Sequence, residues 1–260
     1  MKSVKSLSRI AIAAGLVFTL ISGTMQAQVK TKKHMKKILF VVTSHNKKGS
    51  TGQPTGYYLS EVSHPWDVLV NAGYEIDFVS PEGGNAPVDG FNLEDPINKK
   101  FWNDAVYHKK IENTLKPNQV NPNDYVAIHY AGGHGAMWDL PQDKEIAAIA
   151  TKIYENNGVV SAVCHGPAGL VNIKLSNGKY LIDGKKVNGF TNEEEVAVGL
   201  EKVVPFMLED KMKERGGIFE KSGLWQEHAV TDQRLVTGQN PQSAHAVGEA
   251  VLTELKALKK

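Results

Sequence analysis

Cysteine is nearly absent from this chain. Among 260 residues there is one, Cys164, so no disulfide can form within the chain, and the thiol is either buried and inert or reactive. Excess charge is lacking as well, since 30 basic residues against 28 acidic ones leave a formal net charge of +2. Part of that surplus sits in the first residues and the remainder is near neutral. Such a balance carries no footprint of nucleic-acid binding or of attraction to an acidic membrane. There is no glycine-rich phosphate loop and no dinucleotide fingerprint. His45, His64, His108 and His129 show no metal-ligand spacing, and surface or core histidines are the simpler reading. Trp66, Trp102, Trp138 and Trp225 are read as core or interface side chains rather than cofactor stackers. No apolar run approaches the ~20 residues that a spanning helix needs.

Apolar residues at 41% and charged residues at 22% match an ordinary globular protein. A chain of this length can bury a core without disulfides or metals. At the amino end, Lys2, Lys5 and Arg9 precede the apolar stretch Ile10 to Ile21, followed by Ser22-Gly23-Thr24 and Met25-Gln26-Ala27. That order is the pattern of a secretory signal, with cleavage expected after Ala27 and an exported product, periplasmic or secreted; the alternative, an uncleaved membrane anchor, is disfavoured by the shortness of the apolar stretch. Residues 28–36 are expected to be a flexible lead-in and 37–260 one domain, with no stable membrane association once the signal is removed.

Apolar, β-branched runs predict parallel strands at Ile38–Val42, Tyr74–Ser80, Tyr125–Tyr130 and Val159–Val163. Helical spacing predicts helices over Leu59–Ala72, around Lys99–Tyr107, and over Pro141–Asn156, Ala168–Val171, Glu193–Lys213 and Ser243–Leu258. A hairpin over Tyr180–Phe190 is expected to turn at Asp183-Gly184, and short strands at Gly217–Glu220 and Leu235–Thr237. Alternating strands and helices imply an α/β fold, a mainly parallel sheet with helices on both faces.

Ligands of such sheets bind at the carboxyl ends of the strands. Cys164 ends the fourth strand and is followed by His165 and the small residues Gly166, Ala168 and Gly169. Small neighbours allow a nucleophile to sit on a sharp turn with its side chain exposed. At a helix start, the dipole and free N–H groups are expected to lower the thiol pKa. The adjacent His165 can orient the sulfur or move protons near it. A second turn, Gly132-Gly133-His134-Gly135, ends the third strand, and its backbone N–H groups, with that of His165, can face a developing oxyanion. The plain alternatives are a buried structural thiol and an ordinary glycine turn.

Taken together, Ala162-Val163-Cys164-His165-Gly166-Pro167-Ala168 and Ala131-Gly132-Gly133-His134-Gly135-Ala136-Met137-Trp138-Asp139-Leu140-Pro141 resemble the DJ-1/PfpI superfamily. Tyr57 to Pro65 and Asp77-Phe78-Val79-Ser80-Pro81 are similar to its Hsp31-like branch of glutathione-independent glyoxalases and chaperones. The resemblance covers nearly everything from Lys37 onward. It implies a flavodoxin-like sandwich, a homodimer, no metal and no cofactor. It implies Cys164 as nucleophile, His165 as its partner and Glu61 as a carboxylic acid facing the sulfur. Gly133 and His134 would line the oxyanion site. Glu195 would be the third triad member, flanked by Glu193 and Glu194. From sequence alone, Glu61 is simply an acidic residue in the first turn of a helix, where the dipole favours it.

The expected activity is conversion of a small 2-oxoaldehyde such as methylglyoxal to a 2-hydroxy acid, D-lactate. Other readings of the same thiol are a hydrolase (peptidase, amidase or deglycase), a holding chaperone and a redox sensor. A glutamine amidotransferase is disfavoured, because those enzymes place the histidine far downstream of the cysteine.

Overall fold

Five of the predicted strands lie side by side, joined by a sixth that the sequence reading did not anticipate. In the computed structural model, Met1 and residues 36–258 are described. The signal sequence and almost all of the lead-in read above lie outside the described residues. The six-stranded sheet contains β1 (Lys37–Val41), β3 (Glu75–Val79), β5 (Tyr125–Tyr130), β6 (Val159–Val163), β9 (Ala229–Asp232) and β10 (Leu235–Gly238). Its order is β3-β1-β5-β6-β10-β9, parallel except for the antiparallel pair β10 and β9. Two short parallel pairs lie outside it, β2 (Tyr57–Tyr58) with β4 (Val88–Asp89), and β7 (Lys186–Val187) with β8 (Ile218–Phe219).

The central strands are buried on both faces, which is why they read as continuous apolar runs rather than alternating ones. Residues Ile38 to Val41 and Val159 to Val163 are all inaccessible to solvent. Helix α1 (Leu59–Asn71) presents Leu59, Val62, Trp66 and Leu69 to the core and packs along α8 (Ala244–Ala257). Full burial of side chains such as Val62 and Leu69 contributes roughly 1.5–3 kcal/mol each. Gly73, at φ +87°, takes the left-handed conformation that ends α1. Helix α5 (Lys144–Glu155) packs against β5 and β6 through Ile146, Ile149 and Ile153.

The helix expected around Lys99–Tyr107 is two helices, α2 (Pro96–Asn103) and α3 (Ala105–Glu112), divided at Asp104, whose carboxylate caps the second. The GGHG turn leads into the short α4 (Ala136–Asp139). The long helix predicted over Glu193–Lys213 is also split, into α6 (Asn192–Ala197) and α7 (Leu208–Glu214). Gly199, at φ +72°, and Pro205 lie in the break. No hairpin forms over Tyr180–Phe190. The Asp183-Gly184 turn is present, yet Lys186–Val187 pairs in parallel with Ile218–Phe219 instead of with the segment before it.

The chain passes from β1 to β3 on one side and then crosses to β5 on the other, which opens a crevice at the carboxyl ends of β1 and β5. Glu61, the GGHG turn and Cys164 all emerge there.

Candidate active site

Strand β6 ends at Val163, and Cys164 follows with φ +58°. A residue with a side chain is disfavoured in that region by about 1–3 kcal/mol. Two hydrogen bonds hold the conformation: the Cys164 N–H donates to Gly238 O at 2.9 Å, and the Phe190 N–H donates to Cys164 O at 2.8 Å. Beyond the elbow there is a single 3-10 turn, Gly166–Gly169, in place of the helix expected at Ala168–Val171. A Cβ on Gly166 would lie 2.2 Å from Tyr130 O, so glycine lets the turn press against the end of β5. Cys164 is 3% exposed and lines a cavity of about 420 Å³.

Glu61 approaches Cys164 from the first turn of α1 and is wholly buried. Its Oε2 accepts the Gly132 N–H at 2.7 Å. Its Oε1 has no hydrogen-bond partner among the described residues, and the carboxyl group lies close enough to the Cys164 thiol for each to shift the other's pKa. Burial pushes the Glu61 carboxyl up to about 8, although its interactions with Cys164 and Gly132 pull the other way. Burial also pushes the Cys164 thiol up, and the charge on Glu61 adds to the effect. The expectation of a thiol lowered by a helix start is therefore corrected: no α-helix begins here, and the thiol is buried. The raised thiol has neighbours that are able to accept its proton.

That neighbour set includes His165. Its Nδ1 is 3.4 Å from the sulfur and its Nε2 is 2.8 Å from Glu195 Oε2. The other oxygen of Glu195 is 3.0 Å from His134 Nε2. Burial, then the neighbouring His134, lowers His165 to about 4. Burial alone would raise Glu195, but its two imidazole partners hold it down at about 2. A neutral His165 beside an ionised carboxylate carries its proton on Nε2, so Nδ1 presents a lone pair to the thiol. The rings of His134 and His165 are tilted at 40° with centroids 4.0 Å apart, and the Phe190 ring lies 4.3 Å from that of His165.

The structure separates the three consecutive glutamates. Glu195 reaches both imidazoles. Glu193 pairs with Lys221 at 2.7 Å on the surface. Glu194 is buried and accepts from the Thr191 N–H and hydroxyl through Oε2, and from the Trp225 N–H, Gln239 and Asn240 through Oε1. Gly133, at φ +92°, lies against Gly56 O and Tyr58 N, where any Cβ would collide, and its backbone lines the cavity. Thus Cys164, His165, Glu61, Glu195, Gly133 and His134 converge at one place.

Sequence reasoning missed three contributors. The His134 side chain, given a backbone role alone, supplies the second bond to Glu195. Tyr58 lines the cavity, and Trp225, read as core or interface, forms part of its wall while 40% exposed. Trp225 has φ +59°, a backbone feature that composition does not reveal. Among the described residues, one group has the geometry to hold a metal ion: His134, His165 and Glu195, whose ligand atoms lie within 4.8 Å of one another. In this structure Nε2 of each imidazole and both Glu195 oxygens are engaged in the two imidazole–carboxylate hydrogen bonds.

The DJ-1/PfpI family profile matches residues 54–254. The glutathione-independent glyoxalase HSP31 of Saccharomyces cerevisiae is 36% identical over 236 residues, covering 85% of this chain and 98% of the yeast protein. Glyoxalase 3 of Candida albicans is 35% identical over 84% of this chain and 98% of its own length. The crystal structure of glyoxalase III from Candida albicans superposes with a TM-score of 0.78 at 34% identity, covering 85% of this chain and 98% of that one. The Rapid Encystment Protein of Francisella tularensis superposes with a TM-score of 0.82 at 41% identity, covering 85% and 99%. With this fold and these matches, the chain belongs to the DJ-1/PfpI family, within its Hsp31-like branch.

Proposed function

We propose that this protein is a glutathione-independent glyoxalase that converts methylglyoxal-type 2-oxoaldehydes to 2-hydroxy acids. The observation that carries the reading is the Cys164 thiol held between the Glu61 carboxyl group and the His165 Nδ1 lone pair. Sulfur adds to the aldehyde carbon as a neighbouring base takes its proton, and that proton passes to the new oxygen, giving a hemithioacetal. Glu61, as carboxylate, removes the hydrogen from the former aldehyde carbon and returns it to the adjacent carbon through an enediolate. His165 moves the proton between the two oxygens. Backbone N–H groups at Gly133 and His165 face the developing oxyanion. The product is a Cys164 thioester, which water cleaves to lactate, the D isomer, and the free thiol. Methylglyoxal plus water equals lactate, so no glutathione or redox partner enters the balance.

A cysteine 3% exposed in a cavity of about 420 Å³ suits a small aldehyde better than a peptide chain, which needs an open groove. We further propose that the enzyme acts outside the cytoplasm, and, from its family resemblance, as a homodimer. Export rests on the Lys2 to Ala27 pattern, with 28–36 as a lead-in and 37–260 as the catalytic domain. Turnover of methylglyoxal by the mature protein without glutathione, lost in Cys164→Ala, tests the activity. Cell fractionation and sedimentation test the location and the dimer.

A further inference from the structure

Helix α1 carries a proline in its interior, Pro65. In an α-helix the carbonyl of residue i accepts from the N–H of residue i+4. For Pro65 the partner carbonyl is that of Glu61, and proline has no N–H to give. Its ring also crowds that same carbonyl. The Glu61 carbonyl is buried, so leaving it without a donor would cost free energy comparable to a lost hydrogen bond.

The donor comes from the sheet beneath. His129 in β5 is buried, and its Nε2 lies 3.1 Å from Glu61 O. A carbonyl can only accept, so Nε2 carries the hydrogen. Nδ1 is then the acceptor, 2.9 Å from Ser161 Oγ, its register neighbour on β6. The ring of Phe40, the neighbour on β1, lies 4.8 Å from that of His129, centroid to centroid. Burial lowers His129 to about 4, so the ring stays neutral and keeps this tautomer through the physiological range. Gly248 of α8 lies so close to Pro65 that a Cβ there would be 2.9 Å from its Cα.

We infer that His129 is a positioning residue: by donating to the carbonyl that Pro65 leaves unpaired, it fixes the first turn of α1 and holds the Glu61 carboxyl group against Cys164. The chain Ser161–His129–Glu61–Cys164 links the middle of the sheet to the reacting sulfur. This inference rests on the reading of Glu61 as the proton carrier.

The test uses His129→Phe, which keeps an aromatic ring but has no donor, His129→Gln, which keeps an N–H near the Nε2 position, and the double variant Pro65→Ala with His129→Phe, which restores a backbone N–H for the Glu61 carbonyl. Expected is a fall in methylglyoxal kcat of about tenfold or more for His129→Phe with KM little changed, a matching change in the iodoacetamide alkylation rate of Cys164, and substantial recovery of both in the other two variants. Wild-type kcat in His129→Phe overturns the inference, as does equal loss in all three. If His129→Phe does not fold, NMR of the wild-type protein decides: a slowly exchanging Nε2–H tautomer supports the assignment, and an Nδ1–H tautomer overturns it. Alkylation and tautomer need no substrate. A wild type inactive on methylglyoxal would therefore defeat the glyoxalase reading without deciding this one.

Discussion

Glu195 Oε2 lies 2.8 Å from His165 Nε2, and this contact decides which ring nitrogen faces Cys164. The carboxylate can only accept, so the hydrogen sits on Nε2 and the lone pair on Nδ1 points at the sulfur 3.4 Å away. His134 donates to the second oxygen in the same way.

Glu195→Gln breaks that symmetry. A glutamine can accept from one imidazole, but its NH2 group then meets the N–H of the other and forces a tautomer change. Where the NH2 group faces His165, that ring carries its hydrogen on the sulfur side and proton transfer fails; where it faces His134, His165 still loses its negatively charged acceptor. We predict a kcat loss on the order of 10²–10⁴-fold with KM little affected, measured in steady-state lactate assays. A kcat within twofold of wild type would contradict the role given to Glu195.

Glu61 gives a prediction in which activity and stability move in opposite directions. Its folded pKa, about 8, is raised above the ordinary carboxylate value of 4.5. The stability tied to its protonated form is therefore complete below about pH 4.5 and is lost as pH rises through 8. Glu61→Gln, neutral at every pH, should abolish turnover yet resist denaturant better than wild type at pH 8, the difference closing near pH 5. Urea midpoints of both proteins at those two pH values check this. A constant difference would mean that Glu61 does not titrate in this range.

Gly132 has no room for a methyl group. A Cβ there would lie 2.6 Å from Glu61 Oε2, from His165 N and from Val163 O, and two of these are backbone atoms held by the sheet and elbow. Gly132→Ala should destabilise the protein by about 1–3 kcal/mol and cut kcat, because the turn moves away from Glu61. Denaturation curves and steady-state kinetics on the same preparation check both effects.

Much of this was legible in the sequence for identifiable reasons. Buried parallel strands such as Val159–Val163 are continuous apolar runs, and the elbow shows itself as Cys164 followed by small residues. The catalytic candidacy of Glu61 came from resemblance alone, since a glutamate in a first helical turn is ordinary. The thiol pKa was misjudged because burial, a tertiary property, outweighs any dipole at the elbow. The Tyr180–Phe190 hairpin failed because its partner strand, Ile218–Phe219, comes from a distant segment. The role of His129 depends on Pro65 one helix away, and no local pattern connects the two.

The most direct measurement is lactate formation from methylglyoxal without glutathione, by mature wild type and Cys164→Ala side by side, with a stereospecific assay. The account predicts D-lactate from wild type and none from the variant. Wild-type-like turnover in Cys164→Ala, or no lactate from wild type, would contradict it.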